Sequence, residues 1–140
     1  MIAPDKVTAI LERIGRIPIF TTLRMDGAAF DAGYCEITVP RQAIYDGVFE
    51  SFHGGILMTI ADSVACFAVL TGTADGQALT TTDMNIRFLA PCLTDVTAKA
   101  RVIKFGRAMC PVAVDLHDAA GTLVAVAQVN YMLLDKIPNR

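Results

Sequence analysis

Residues 52–70 read F-H-G-G-I-L-M-T-I-A-D-S-V-A-C-F-A-V-L, and the fold turns on what this stretch becomes. It predicts a helix entered through Gly54 and Gly55 and long enough for several turns. Apolar residues fall on nearly every side, and a helix that is apolar all round must be buried in a protein core or a membrane. Asp62 is the one charge in it. An unpaired buried carboxylate costs more than one helix recovers, so Asp62 needs partners, a shifted ionisation or a reaction to perform. A carboxylate satisfied by hydrogen bonds alone is the plain alternative, because perturbed acids gather at functional sites only as a tendency.

The composition narrows the surroundings of that helix. A chain of 140 residues fits one domain, residues 1–140, with room for a substantial core. Its hydrophobic share of 54% and charged share of 19% imply a fully wrapped helix or apolar surface hidden between subunits. A net charge of -2 with no basic run supplies no footprint for nucleic acid. Membrane insertion fits poorly, because Thr59, Asp62 and Ser63 interrupt the helix and a polar turn, 71–76, ends it. The start, M-I-A-P-D-K, lacks the layout of a signal peptide. Cys35, Cys66, Cys92 and Cys110 are scattered, with no CxxC pair and no His at ligand spacing. Free thiols in a reducing, cytoplasmic setting, with no metal, are the expectation. Cys66 lies one turn past Asp62 on the same face, either lining a pocket or filling the core.

The remaining elements follow from periodicity. Pro4 to Gly15 carries Val7, Ile10, Leu11 and Ile14 at helical spacing, an amphipathic helix that Pro18 keeps from continuing. Phe30 to Val39 alternates as a half-buried strand, and residues 41–51 cross over to the central helix with a turn at Asp46-Gly47. After it come four strands: Leu79 to Leu89, Val96 to Phe105, Ala108 to Leu116 and Thr122 to Leu134. The last two flank a hairpin connection at residues 118–121. Pro111 predicts a bulge or an edge position, and His117 a solvent-side histidine. The fold class is therefore α+β, an antiparallel sheet wrapped round one long buried helix.

His53-Gly54-Gly55 followed by Asp62 on the same helix resembles the hot-dog fold acyl-CoA thioesterases of the phenylacetate-pathway type. The run Thr81 to Pro91, T-T-D-M-N-I-R-F-L-A-P, resembles the strand and turn that follow the helix in that family. Gly106-Arg107 and the segment from Asp118 to Ala125 resemble its final hairpin. The likeness spans roughly Phe30 to Leu134. It implies hydrolysis of an acyl-CoA thioester with no cofactor beyond the coenzyme A of the substrate. The amide of Gly55, at a helix N-terminus, would polarise the carbonyl oxygen. Asp62 would act as general base on water or as nucleophile, and Thr81 falls where the family places a hydroxyl near the catalytic carboxylate. His53 would orient groups at the helix entrance or simply cap it. Gly54 and Phe52 would flank the thioester, and Arg107, Lys104 and Arg87 would meet the coenzyme phosphates. Family relatives carry an Asn or Gln ahead of the His-Gly-Gly; residues 45–52 contain neither, and Asp46 is the nearest polar replacement.

Asp62 lies seven positions beyond Gly55, about 10 Å along a helix axis, too far for both to serve one carbonyl. A two-fold partner bringing its own helix alongside removes the difficulty, and the family builds its sites across such dimers, often as dimers of dimers. Two other readings stand beside hydrolysis. One is a binding module that holds acyl-CoA without turnover, in keeping with the missing amide. The other is an enoyl-CoA hydratase or dehydratase on the same fold, whose usual His one turn after the Asp is absent here. Phe49, Phe52, Met58, Cys66 and Phe67 are the candidates to line an acyl pocket, aliphatic or aromatic.

Overall fold

The computed structural model describes residues 2–135. Helix α1 spans Pro4–Gly15, with Pro4 at the first turn, where its missing N–H costs nothing. A short second helix, α2, covers Pro18–Thr22. The same proline that ends α1 therefore also starts a new turn, since its fixed φ suits a first helical position.

The expected strand from Phe30 to Val39 is instead a hairpin, β1 (Ala29–Asp31) and β2 (Tyr34–Val39), with Asp31 opposite Tyr34. Gly33 makes the reversal with φ +66, a left-handed conformation that suits a residue without Cβ. Its N–H donates to Thr71 Oγ1 at 2.8 Å, which ties the hairpin to the far end of the central helix. The alternation on both sides of Gly33 conceals the turn when read as sequence alone.

The central helix, α3, is Gly54–Leu70. Ile60, Ala61, Val64, Ala65, Ala68 and Val69 have no exposed surface. Thr59 and Ser63 are accommodated because each hydroxyl donates back to the carbonyl one turn earlier, to Gly55 at 3.0 Å and Thr59 at 2.6 Å. Three-residue turn η1 (Ala43–Tyr45) lies in the crossover before it.

Four strands follow: β3 (Ala78–Phe88), β4 (Val96–Val102), β5 (Met109–His117) and β6 (Leu123–Leu134). With β1 and β2 they form one antiparallel sheet in the order β1-β2-β4-β5-β6-β3. The helix packs chiefly across β4, β5 and β2. Ala98 and Ala100 on β4 have no exposed surface, and such small side chains let a helix close on the sheet. Ile37, Val112, Val114 and Leu116 fill the space around them. This is the wrapped helix, one of the two arrangements that the 54% hydrophobic share implies.

Three further details depart from the sequence reading. β4 stops at Val102 rather than Phe105, because Phe105 turns away to pack on Gly33 and comes against Gly72. Pro111 is neither in a bulge nor on an edge strand: β5 lies between β4 and β6. The proline is tolerated because the regular β4 ladder stops at Val102 opposite Val112, and beside it only the Pro111 carbonyl is used, accepting from the Ile103 N–H at 2.8 Å. His117 is half-buried rather than solvent-facing, and its buried Nδ1 has no hydrogen-bond partner among the described residues. Within those residues no helix is long and apolar enough to cross a membrane.

Candidate active site

Asp62 sits mid-helix, half-buried, with its carboxylate turned toward the last strand pair of the sheet. Thr81 Oγ1 donates to Asp62 Oδ1 at 2.7 Å, and the Tyr131 hydroxyl reaches the same oxygen at 2.7 Å. The phenol is also 2.7 Å from the backbone carbonyl of Asp62. Oδ2 makes no hydrogen bond among the described residues.

The two donors reach one oxygen because Thr81 and Tyr131 are opposite each other in the β3–β6 ladder. Immediately afterwards the register shifts, and Asp83 rather than Thr82 pairs with Asn130. Such a bulge twists a strand and re-aims its side chains, a device found beside active sites. Asn130 Nδ2 bridges both oxygens of Asp83, at 3.1 and 3.0 Å, and holds the shifted register. Tyr131 is 4% exposed, and burial, with the Cys66 thiol and Asp62 nearby, pushes its hydroxyl far above the ordinary range. It is therefore a donor at any working pH.

At the N-terminus of α3 the geometry is different in kind. His53 is the N-cap, and its Nδ1 accepts from the Gly55 N–H at 2.9 Å. A Cβ on residue 55 would lie 3.1 Å from both Cε1 and Nδ1 of His53, so glycine is what lets the ring close over the amide. A neutral imidazole that accepts at Nδ1 carries its proton on Nε2, so the tautomer leaves one N–H free to donate outward. Gly54 lies under the Phe88 ring, where a Cβ would come within 3.3 Å. Phe52 is buried, bonded through its N–H to the Cys92 carbonyl at 2.9 Å, and borders a groove of about 400 Å³ with Gly54, Leu57, Phe88 and Leu89.

Asp46 faces neither centre. Arg41 Nε donates to its Oδ1 at 3.1 Å, and Arg41 Nη2 pairs with Oδ2. The guanidinium holds the Asp46 carboxyl below the usual carboxylate range. Arg41 Nη2 also donates to the Glu50 carbonyl at 2.9 Å, so the pair braces the loop that presents His53.

Arg107 and Lys104 are exposed in the β4–β5 connection. The Phe105 between them sits against Gly72, which places this loop at the C-terminal end of α3, opposite Gly55. Arg87 lies on β3 beside Phe88, at the Gly54 end. Cys66 borders a cavity of about 130 Å³ with Ile14, Ile17, Phe20 and Phe67, and Arg13 stands at its rim. Burial raises the Cys66 thiol to about 11 and Cys35 to about 12, so both are neutral thiols at ordinary pH. Among the described residues no cluster of His, Cys, Asp or Glu is arranged to hold a metal ion.

The structure thus brings Asp62 and Thr81 together and keeps His53, Gly54 and Gly55 together, but separates the two sets. Tyr131 is the site neighbour that sequence reasoning missed. Its signal was a lone hydroxyl-bearing ring on the buried face of an apolar strand, uninterpretable without the β3–β6 register.

The profile of the Thioesterase superfamily matches residues 49–125, more than half of the chain. The chain belongs to the Thioesterase superfamily. Its fold is the hot-dog fold, shared with many solved structures. PaaI of E. coli, from the phenylacetic acid degradation operon, superposes with a TM-score of 0.88 at 20% identity, over 97% of this chain and 98% of that one. A thioesterase family protein from Silicibacter pomeroyi has a TM-score of 0.84 at 22% identity, over 92% and 98% of the two chains. A thioesterase from Haemophilus influenzae has 0.83 at 20%, over 94% and 92%. No curated protein sequence matches the chain significantly. This superfamily member is thus a hydrolase of thioesters by family, while its substrate and its working residues rest on the site itself.

Proposed function

We propose that this superfamily member hydrolyses acyl-CoA thioesters in a site shared by two copies of the chain. The observation that carries the reading is the Asp62 carboxylate, half-buried on an apolar helix, with one oxygen doubly hydrogen-bonded and the other making no hydrogen bond among the described residues. Oδ2 either removes a proton from water as the water attacks the thioester carbon, or attacks that carbon itself. In both cases the carbonyl oxygen gains negative charge that donors must meet, and the C–S bond breaks with coenzyme A leaving as the thiol.

The donors are at the other centre: the Nε2–H of His53, and the Gly55 amide once the imidazole that accepts from it in the free protein swings aside. Gly55 and Asp62 of one chain are about 10 Å apart along the helix, so the donors come from a partner. β3 offers the means. It is the long edge of the sheet, with a row of unpaired backbone groups that invites pairing with a second copy. Two-fold pairing of β3 with itself runs the two α3 helices in opposite directions and brings Gly55 of the partner subunit toward Asp62. The same operation carries Arg107 and Lys104, at the C-terminal end of α3, to the end where the partner's donors lie, where they would meet the coenzyme phosphates. Val48 and Phe49, each 90% exposed just ahead of His53, are apolar surface that such an interface would cover.

Thiol release measured across short, medium, long and aryl acyl-CoAs tests the reading, and at least one member should be turned over. Light scattering at micromolar protein should report a dimer or larger; a monomer that retains full activity would remove the shared site. A panel that binds and releases no thiol would favour the second reading, an acyl-CoA-binding module. That reading draws on Asp46, whose oxygens are both taken by Arg41, so the nearest replacement for the missing amide is not free to position water.

A further inference from the structure

The two oxygens of Asp62 are treated unequally, and the difference has a structural cause. A carboxylate turns about a broad, roughly two-fold torsion, so its rotamer alone does not settle which oxygen points where. Here two hydroxyls, from β3 and β6, converge at 2.7 Å on Oδ1. They stand opposite each other on one rung of the β3–β6 ladder.

We propose that Tyr131 is the positioning residue of this site: its hydroxyl holds Oδ1 of Asp62 so that Oδ2 is the reacting oxygen. The inference rests on the reading of Asp62 as the reacting carboxylate. It applies to Asp62 as base and as nucleophile, because in both roles one oxygen reacts and the other must be held still.

Tyr131 suits this work better than Thr81. It is buried, so water does not compete for its proton, and burial keeps the phenol protonated. It also has two acceptors for one proton, Oδ1 and the Asp62 carbonyl, both at 2.7 Å. While Asp62 is ionised, the charge-assisted bond to Oδ1 is the stronger. When Oδ2 takes a proton, that bond weakens and the phenol still has the carbonyl, so no buried donor is left unpaired at either stage.

Tyr131→Phe keeps the ring and its packing, and the Asp62 carbonyl keeps its partner within the helix. With the best acyl-CoA, kcat should fall about tenfold while KM stays within about twofold, because the phenol touches the carboxylate and not the substrate. In an Asp62→Asn background, Tyr131→Phe should cost nothing further.

A Tyr131→Phe enzyme with wild-type kcat, or one whose kcat falls as far again in the Asp62→Asn background, would overturn the proposal, leaving Tyr131 as packing. So would a loss of activity that tracks only the loss of folded protein. Failure of the functional reading looks different: a wild type that releases no thiol, or Asp62→Asn that works at the wild-type rate, whatever Tyr131→Phe does.

Discussion

At the N-terminal turn of α3, backbone N–H groups stand near the surface and one imidazole from the adjacent residue meets one of them. At its middle, a single carboxylate is gripped by side chains from two strands that lie 19 and 69 residues away in sequence. The first centre is local. It needs a cap residue, two glycines and the start of a helix, so a short motif encodes it. The second is non-local, made by strand register and a bulge, and only one of its parts lies in the motif. The comparison teaches that a recognisable catalytic motif can announce the donor end of a site while the end that holds the reacting group is built elsewhere.

The largest expected effect comes from the non-local centre. Asp62→Asn keeps the shape and the capacity to accept from Thr81 and Tyr131 but removes the charge. We expect kcat to fall about a hundredfold or more, with the fold, the oligomer and acyl-CoA binding retained. Near-wild-type turnover would move the chemistry to the helix N-terminus and invert the comparison.

The local centre is tested by His53→Ala. The substitution frees the Gly55 amide and deletes the Nε2–H donor. If both donors meet the oxyanion, kcat should drop about tenfold, less than for Asp62→Asn, because the amide remains. Loss of the cap should also cost about 1 kcal/mol of stability, seen in chemical denaturation. Unchanged or faster turnover would show that the imidazole only covers the amide in the free protein.

A smaller effect is expected from Arg107→Ala, which stands away from both centres. It should raise KM for acyl-CoA severalfold and leave kcat nearly unchanged, since a phosphate contact is made alike in ground and transition states. The effect should shrink as salt rises. An equal loss with an acyl-pantetheine that lacks the nucleotide would place Arg107 elsewhere in the reaction.

The smallest effect concerns stability at alkaline pH. Burial raises the Cys66 thiol from 9.0 to about 11, so between those values the folded state holds a proton that the unfolded chain has lost. This contribution is whole below pH 9.0 and declines as pH rises toward about 11. Denaturation midpoints should fall over that window, and Cys66→Ala should flatten the fall. A variant with the wild-type slope would assign the alkaline loss to the other thiols and phenols raised by burial, Cys35, Cys92, Cys110, Tyr34 and Tyr131.

Much of this was open to a reader of the sequence because it depends on neighbours along the chain. The burial of 54–70 follows from apolar residues on every side of a helix, and the place of Asp62 as its one charge follows with it. The His53-Gly54-Gly55 turn, the four closing strands and the wrapped-helix class are likewise written in spacing and composition. What the tertiary structure decided depends on residues far apart in sequence. A one-residue shift between β3 and β6 would turn Tyr131 away from Asp62, and local pattern carries no record of that register. The hairpin at Gly33 was hidden because alternation continues through the turn, and Asp46 looked available until Arg41 was seen to hold it. Periodicity reports which face of an element is buried. Which side chains then meet across the buried face is settled by register and packing, and that is where the hold on Asp62 comes from.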